Sequence, residues 1–125
     1  MSMRWTFGLL ITGAAALGAG AATAHHGWSG QSSEQFELTG TLYKAVSLAG
    51  PHATMQIADD TGRVWDITLA PPNRTKNAGL TEDAIPLGAT VTVSGHRSAS
   101  ADRYEIKTER VRYGDREFDV YPGRR

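Results

Sequence analysis

The sequence ATMQIADDTGRVWDITL, residues 53–69, indicates two neighbouring strands joined by a tight turn. Apolar residues occupy alternate positions before the turn, at Met55 and Ile57, and again after it from Trp65 onward. This alternation is typical of strands that bury one face. Residues 59–62, DDTG, supply a side chain that can satisfy the turn and a glycine that tolerates positive φ. The stretch therefore predicts a β-hairpin.

Strand patterns continue on both sides of this hairpin. Residues 36–46 mix leucine, threonine and aromatic side chains around Gly40, which predicts a first strand with a bulge or bend at that glycine. Residues 91–97 predict a fourth strand. Residues 104–113 predict a fifth strand, in which the apolar positions change parity at Val111 and so indicate another bulge.

The segment between the third and fourth strands has helical character. Residues 71–72 are both proline and end the third strand, because proline cannot donate to a ladder. Within residues 73–85, Thr81-Glu82-Asp83 has the cap and the acids of a helix start. A last short strand is predicted over residues 118–121. This order predicts an all-β fold, a small five- to six-stranded OB-like Greek-key barrel with a short helical insertion between strands 3 and 4. An open β-sandwich is the alternative.

Composition limits the classes of function. The chain has 125 residues, enough for one small domain. It has 13 basic and 13 acidic residues, so it lacks the excess of positive charge typical of a protein that binds nucleic acid. It contains no Cys, which excludes disulfides, thiolate metal sites and cysteine nucleophiles.

The first 24 residues read as a cleavable signal peptide. Arg4 precedes an apolar run that is interrupted by Gly8, Thr12 and Gly13 and lacks the roughly 20 strongly apolar residues of a spanning helix. The run ends in Ala22-Thr23-Ala24, the small-x-small pattern that signal peptidase recognises. We therefore predict cleavage between Ala24 and His25, a periplasmic or secreted protein, and no stable membrane insertion after processing. An uncleaved membrane anchor is the alternative.

The predicted organisation follows from these boundaries. It consists of a signal peptide (1–24), an N-terminal lead-in (25–36), the OB-like β-barrel (37–121) and a basic tail (122–125).

Histidines near the predicted cleavage site are candidate metal ligands. A free α-amino group on His25 and its ring Nδ1 can bind one metal ion as a chelate, and the α-amine loses its proton more readily than lysine does. His26 is adjacent, and His52 follows a proline just before the second strand. Nitrogen ligands of this kind suit Cu(II). In the alternative interpretation the terminus is loose, and His52 and His96 make ordinary hydrogen bonds.

Three aromatic residues are candidate contacts for a small ligand or a partner protein: Trp28, Tyr43 and Trp65. The chain has no recognisable Ser nucleophile motif and no Gly-rich phosphate loop, so we expect a binding protein and no enzyme. A copper oxidase or oxygenase is a third and weaker hypothesis, because nothing in the sequence indicates a substrate surface.

Short motifs in a fixed order resemble a known family of exported bacterial proteins, domain of unknown function 6152. They are His25-His26-Gly27-Trp28, residues 38–42 (LTGTL), Pro51-His52-Ala53, residues 60–65 (DTGRVW), 69–74 (LAPPNR), 79–81 (GLT) and 88–95 (GATVTVSG). The family commonly has Asn where this chain has Gly50. The resemblance implies export and a small β-barrel, and it groups His25, His26 and His52 in family motifs, but it implies no reaction.

Two functions follow as hypotheses. The first is an exported β-barrel that binds copper through His25, His26 and His52 and carries or buffers the ion. The alternative is a metal-free periplasmic module that binds an unknown small ligand or periplasmic protein.

Overall fold

The structure, a computed structural model, describes residues 28–124. The predicted signal peptide and two candidate ligands, His25 and His26, lie outside the described residues. The chain forms six strands and one short helix: β1 (Phe36–Ser47), β2 (Thr54–Ala58), β3 (Val64–Thr68), α1 (Pro72–Asn77), β4 (Thr90–Arg97), β5 (Glu105–Tyr113) and β6 (Arg116–Asp119). None of the helices within residues 28–124 has the length and apolar character needed to cross a membrane.

The strands close into a barrel. Neighbours in the order β3-β2-β1-β4-β5-β6 pair antiparallel, and β3 also pairs parallel with β5 through Asp66–Glu105, Ile67–Ile106 and Thr68–Lys107. This parallel pairing joins the first five strands into a ring, while β6 extends the sheet beside β5. The predicted all-β OB-like barrel with a short helix between strands 3 and 4 is confirmed, and the open sandwich is wrong.

The core lies inside this ring, where alternate apolar residues of the strands meet side chains from the connecting segments. Its fully buried members with the largest side chains include Met55, Ile57, Ile67, Leu69, Leu80 and Ile106. The period-2 alternation of the predicted hairpin places Met55 and Ile57 on the core side of β2.

The bend predicted in the first strand is confirmed at Gly40. β1 pairs with β4 up to Thr41 and with β2 from Thr41 onward, so the strand passes from one partner to the other beside this glycine. A side chain at position 40 would run into the backbone oxygen of Ala58. The register shift itself falls between Leu42 and Lys44.

The bulge predicted in the fifth strand is also confirmed, and its position matters for the site. Ser94 pairs with Arg110, but the next residue of β4, Gly95, pairs with Thr108. Glu109 is therefore the extra residue, and a bulge of this kind redirects a side chain. Position 95 is crowded at this point, because a side chain there would meet the backbone of Lys107 and Thr108.

Two predicted boundaries are wrong. The helix begins at Pro72, where the fixed φ of proline is suited to a first helical turn, and Thr81-Glu82-Asp83 forms only a turn, closed by the Ala84 N–H on the Thr81 carbonyl at 3.2 Å. The last strand ends at Asp119 and does not span 118–121. The next two amides, of Val120 and Tyr121, donate to the Glu109 carbonyl at 3.0 and 3.2 Å and so leave the ladder.

Candidate functional site

Trp28, the first residue that the structure describes, packs into a cluster of polar and aromatic side chains. Its ring lies 5.8 Å from the His96 ring and 5.3 Å from the Tyr121 ring, in both cases edge to face. Two cations also face it, since Arg124 Cζ is 4.0 Å and Lys107 Nζ is 5.3 Å from the ring centroid. We call these five residues the Trp28 cluster.

Backbone hydrogen bonds hold the segment that follows Trp28 against the barrel. Residues 28–35 are the described part of the predicted lead-in before β1, and we call them the lead-in segment. Within it, the Ser32 N–H donates to the Arg97 carbonyl at 2.9 Å. The Gly30 carbonyl accepts from the Ala99 N–H at 2.8 Å. The lead-in segment is therefore attached at the end of β4 through Gly30 and Ser32, two and four residues after Trp28.

His52 enters the site from the loop between β1 and β2. Its Nε2 lies 3.2 Å from Lys107 Nζ, and an ammonium group can only donate, so the imidazole nitrogen accepts. Partial burial, together with the charge of Lys107, holds the pKa of His52 below its ordinary value. The imidazole is therefore neutral at pH 7, which is the form that binds metals. Trp28 and His52 thus both contact Lys107.

Lys107 is an unusual residue for a strand interior, because only 5% of it is exposed. It faces His96 across the β4–β5 ladder, and its ammonium lies between Trp28 and, at 5.9 Å, the Tyr121 ring. Burial lowers the pKa of Lys107, and the charge of Glu105 opposes this shift. The ring of Trp28 replaces part of the water that the ammonium group loses.

Tyr121 closes the same cluster from the segment after β6. Burial raises the pKa of its hydroxyl, and the charges of Arg74 and Arg124 oppose the shift. Arg74 Cζ, from α1, lies 5.4 Å from the Tyr121 ring centroid. The phenol is therefore neutral at physiological pH and is surrounded by positive side chains.

The bulge residue Glu109 is the acidic group of this region, and its side chain is 1% exposed. Its Oε2 lies 3.1 Å from His96 Nε2 and 3.3 Å from Arg124 Nε, and its Oε1 accepts from Gln35 Nε2 at 3.2 Å. His96 Nδ1 donates to the Ser32 carbonyl at 3.0 Å, because a carbonyl can only accept. Glu109 thus joins β4, the lead-in segment and the tail.

The structure brings together some of the predicted site residues. Within residues 28–124, no three His, Cys, Asp or Glu side chains are grouped so that they could hold a metal ion. Of the predicted ligands, only His52 lies within residues 28–124. It and Trp28 both contact Lys107. The participation of His25 and His26 stays a prediction.

The three predicted aromatic contacts lie in different surroundings. Trp65 is 5% exposed, and its Nε1 donates to Asp59 Oδ2 at 3.0 Å. Its ring stacks on Phe36 at 5.6 Å and meets Tyr104 edge to face at 5.1 Å, so it belongs to the core and not to the Trp28 cluster. Tyr43, on β1, is 60% exposed.

A shallow depression of about 390 Å³ lies on the outer face of the sheet. It is lined by Gln35, Phe36, Glu37, Ser94 and Arg110. Arg110 Nε sits 3.5 Å from Glu117 Oε2 and 3.6 Å from Asp119 Oδ1, so its charge is already balanced by two acids. The depression is therefore a polar surface in which Arg110 already has two carboxylate neighbours.

The closed ring of five strands, with its added sixth strand, defines a small OB-like β-barrel protein. The sequence matches the model of a family of unknown function, DUF6152, over residues 14–108, which is more than half of the chain. The chain belongs to this family. None of the curated proteins compared with it matches the sequence.

Sequence reasoning did not identify several residues of the site. Lys107, Glu109, Tyr121 and Arg124 were not candidates, and His96 was expected to make only ordinary hydrogen bonds. The available signal was the parity change before Val111, which places an acidic residue at a bulge inside a buried strand. The family match ends at residue 108, one residue before Glu109, so the resemblance did not point to the tail either.

Proposed function

We propose that this protein is an exported, non-enzymatic copper-binding protein. Its ligands are the α-amino group and imidazole of His25 and the imidazole of His52, with His26 as a further candidate. The protein carries or buffers Cu(II) in the periplasm. The observation that carries the proposal is the contact of both Trp28 and His52 with Lys107, at 5.3 and 3.2 Å.

This contact supports the proposal because it brings the beginning of the described chain close to His52. His25 precedes Trp28 by three residues, and three residues span at most about 10 Å. A connection of this length allows the α-amino group of His25 to approach the His52 imidazole, which supports the proposed shared site. A neutral imidazole, an α-amine and a second imidazole together form the nitrogen-rich ligand set that Cu(II) prefers.

Lys107 imposes a condition on this site. Its ammonium group donates to the lone pair of His52 Nε2, so copper has to displace that hydrogen bond in order to bind there. The displaced ammonium still has the rings of Trp28 and Tyr121 beside it. We therefore expect copper binding to break the contact between Lys107 and His52 and to leave the barrel unchanged.

The first experiment addresses export and processing. Protein recovered from the periplasm should begin with His25, as judged by N-terminal sequencing and by intact mass. Any other first residue removes the chelate and contradicts the proposal.

The second experiment measures Cu(II) affinity by competition with a chelator of known strength. Three proteins are compared: the chain beginning at His25, the same chain acetylated on the α-amino group of His25, and a His52→Ala variant. Removal of a group that merely orients a ligand costs roughly 10–100-fold in affinity, so loss of either ligand should cost at least that. The acetyl group removes the amine as a ligand and keeps every side chain, so the acetylated chain is the matched control for folding. Equal binding by the first two proteins contradicts the proposal.

The alternative function, a metal-free module that binds a small ligand or a periplasmic protein, has its own support. Tyr43 is exposed on β1, and the depression beside Arg110 offers polar groups to a small molecule. Under this alternative the His25 and His52 variants leave ligand binding unchanged.

A further inference from the structure

We propose that Glu109 is the positioning residue of the lead-in segment: its buried carboxylate fixes Trp28, and with it the chain that enters the site, against β5. The consequence for copper rests on the function proposed above. The fixing of Trp28 by Glu109 is independent of that function. Nothing in the family assignment gives Glu109 a role.

The first step of the argument is the direction of the Glu109 side chain. A regular strand would place residues 107 and 109 on one face and 108 on the other, but residues 106–109 are all buried. The bulge between the pairs Ser94–Arg110 and Gly95–Thr108 makes this possible. It turns Glu109 toward His96, Gln35 and Arg124, which come from three separate parts of the chain.

The second step is what those three partners do. Gln35 belongs to the lead-in segment itself, and His96 holds the same segment at the Ser32 carbonyl at 3.0 Å. Arg124 lies over the Trp28 ring at 4.0 Å, and its Nε donates to Glu109. The contacts through Gln35, His96 and Arg124 therefore lead back to one carboxylate, whereas Lys107 and Tyr121 contact Trp28 without it.

The third step separates this network from the backbone contacts. The amides of Ser32 and Ala99 hold residues 30–32 at the end of β4 without help from Glu109. They do not fix the ring of Trp28, which contacts Arg124, Lys107, Tyr121 and His96 only through its side chain. Glu109 thus fixes Trp28, which follows the predicted ligands His25 and His26 by three and two residues in the sequence.

The test compares Glu109→Gln with Glu105→Gln. Both positions are acids on β5, but Glu105 is partly exposed, pairs with Arg103 at 3.2 Å and acts on the Trp28 cluster only through its charge on Lys107. The readout that does not depend on copper is the indole N–H cross-peak of Trp28 in a proton–nitrogen NMR correlation spectrum. We expect Glu109→Gln to shift and broaden it and Glu105→Gln to leave it unchanged. An unchanged Trp28 resonance in Glu109→Gln overturns the proposal, whatever happens to copper.

The second readout is Cu(II) affinity of the chain beginning at His25. We expect a loss of about tenfold or more for Glu109→Gln and none for Glu105→Gln, because groups that orient a ligand have effects of that size. In a His52→Ala background, Glu109→Gln should add little, which a merely destabilising substitution would not do. If wild type and the chain acetylated on His25 bind copper equally, the proposed function fails. If they differ while Glu109→Gln matches wild type, the positioning role in copper binding fails alone.

Because Glu109 is fully buried, its replacement can reduce folding, so Arg124→Gln is the second variant. Arg124 is half exposed, so its substitution removes the contact between the tail and Glu109 without opening the core. It should also shift the Trp28 resonance, by less than Glu109→Gln does, because His96 and Gln35 keep their contacts with Glu109. A Trp28 resonance that is unaffected by Arg124→Gln contradicts the proposal independently of Glu109.

Discussion

Trp65 and Trp28 each contact charged side chains, but the hydrogen-bond acceptor of Trp65 is close in sequence and the two cations that face Trp28 are not. Asp59, which accepts from the Trp65 indole, lies six residues away in the same hairpin. Trp28 is held by Lys107 and Arg124, which lie on β5 and in the tail. A local partner stabilises a turn that forms from neighbouring residues. Distant partners determine instead where a terminal segment lies on a finished barrel.

The two tryptophans also differ in what they bury. Trp65 is in the core between Phe36 and Tyr104, with Arg97 Cζ 5.0 Å from its ring on the outer side. Trp28 is only partly buried, and its neighbours are mainly polar. We infer that Trp65 contributes chiefly to stability and Trp28 chiefly to placement of the chain that precedes it.

The largest expected effect tests this difference directly. Trp65→Ala should lower the free energy of unfolding by roughly 3–5 kcal/mol, because it leaves a cavity in a packed core. Trp28→Ala should cost roughly 1 kcal/mol, the usual size for a partly buried residue. Urea unfolding followed by far-ultraviolet circular dichroism measures both without depending on tryptophan emission. Equal losses would mean that Trp28 is a core residue, and the distinction would be lost.

The next effect concerns the hairpin. Asp59 Oδ1 accepts from the Thr61 N–H at 2.9 Å, the Thr61 hydroxyl at 2.6 Å and the Arg63 N–H at 3.0 Å, while Oδ2 accepts from Trp65. The hydrogen bonds from the Thr61 and Trp65 side chains, and then those from the backbone, hold the pKa of Asp59 well below its ordinary value. The ionised carboxylate is therefore favoured in the folded state.

The sign of the pH dependence follows from this. The stabilisation is fully present above the unfolded pKa of about 3.9 and is lost as the pH falls toward the lower folded pKa. Asp59→Asn should lower Tm by a few degrees at pH 7, and the difference from wild type should shrink below about pH 4. Asp60→Asn is the matched control, since Asp60 receives none of these four hydrogen bonds. A constant difference from pH 7 to pH 3 contradicts the explanation.

The barrel could be predicted from the sequence because its signals are local. Alternation in residues 53–69 and the DDTG turn define the hairpin, and the position of Gly40 and the parity change before Val111 indicate where long strands must bend. The helix boundary was predicted wrongly, because Thr81-Glu82-Asp83 has the composition of a cap but the chain had already formed its helix at Pro72. Local capping chemistry does not reveal which of two nearby starts the packing favours.

The site was only partly predictable for the same reason. His52 was identified from the proline before it and from its family motif, and Trp28 from its place beside the histidines at the predicted cleavage site. Lys107 and Glu109 depend on the pairing of His96 with Lys107, on one extra residue in β5 and on a tail that returns to Trp28. Such relations are set by strand register and not by neighbouring residues, so composition and spacing do not show them.

The smallest expected effect tests whether Tyr43 lies outside the proposed copper site. Tyr43 lies 60% exposed on β1, and Tyr43→Thr keeps a residue that suits a strand, so the free energy of unfolding should change by no more than about 0.5 kcal/mol. Leu87→Thr, at a position that is 65% exposed, is the matched control. Because Tyr43 is not among the copper ligands proposed here, Cu(II) affinity of both variants should equal that of wild type. A loss of copper affinity confined to Tyr43→Thr would place this exposed ring in the metal site, and the assignment of that site to His25 and His52 beside Trp28 would then be wrong.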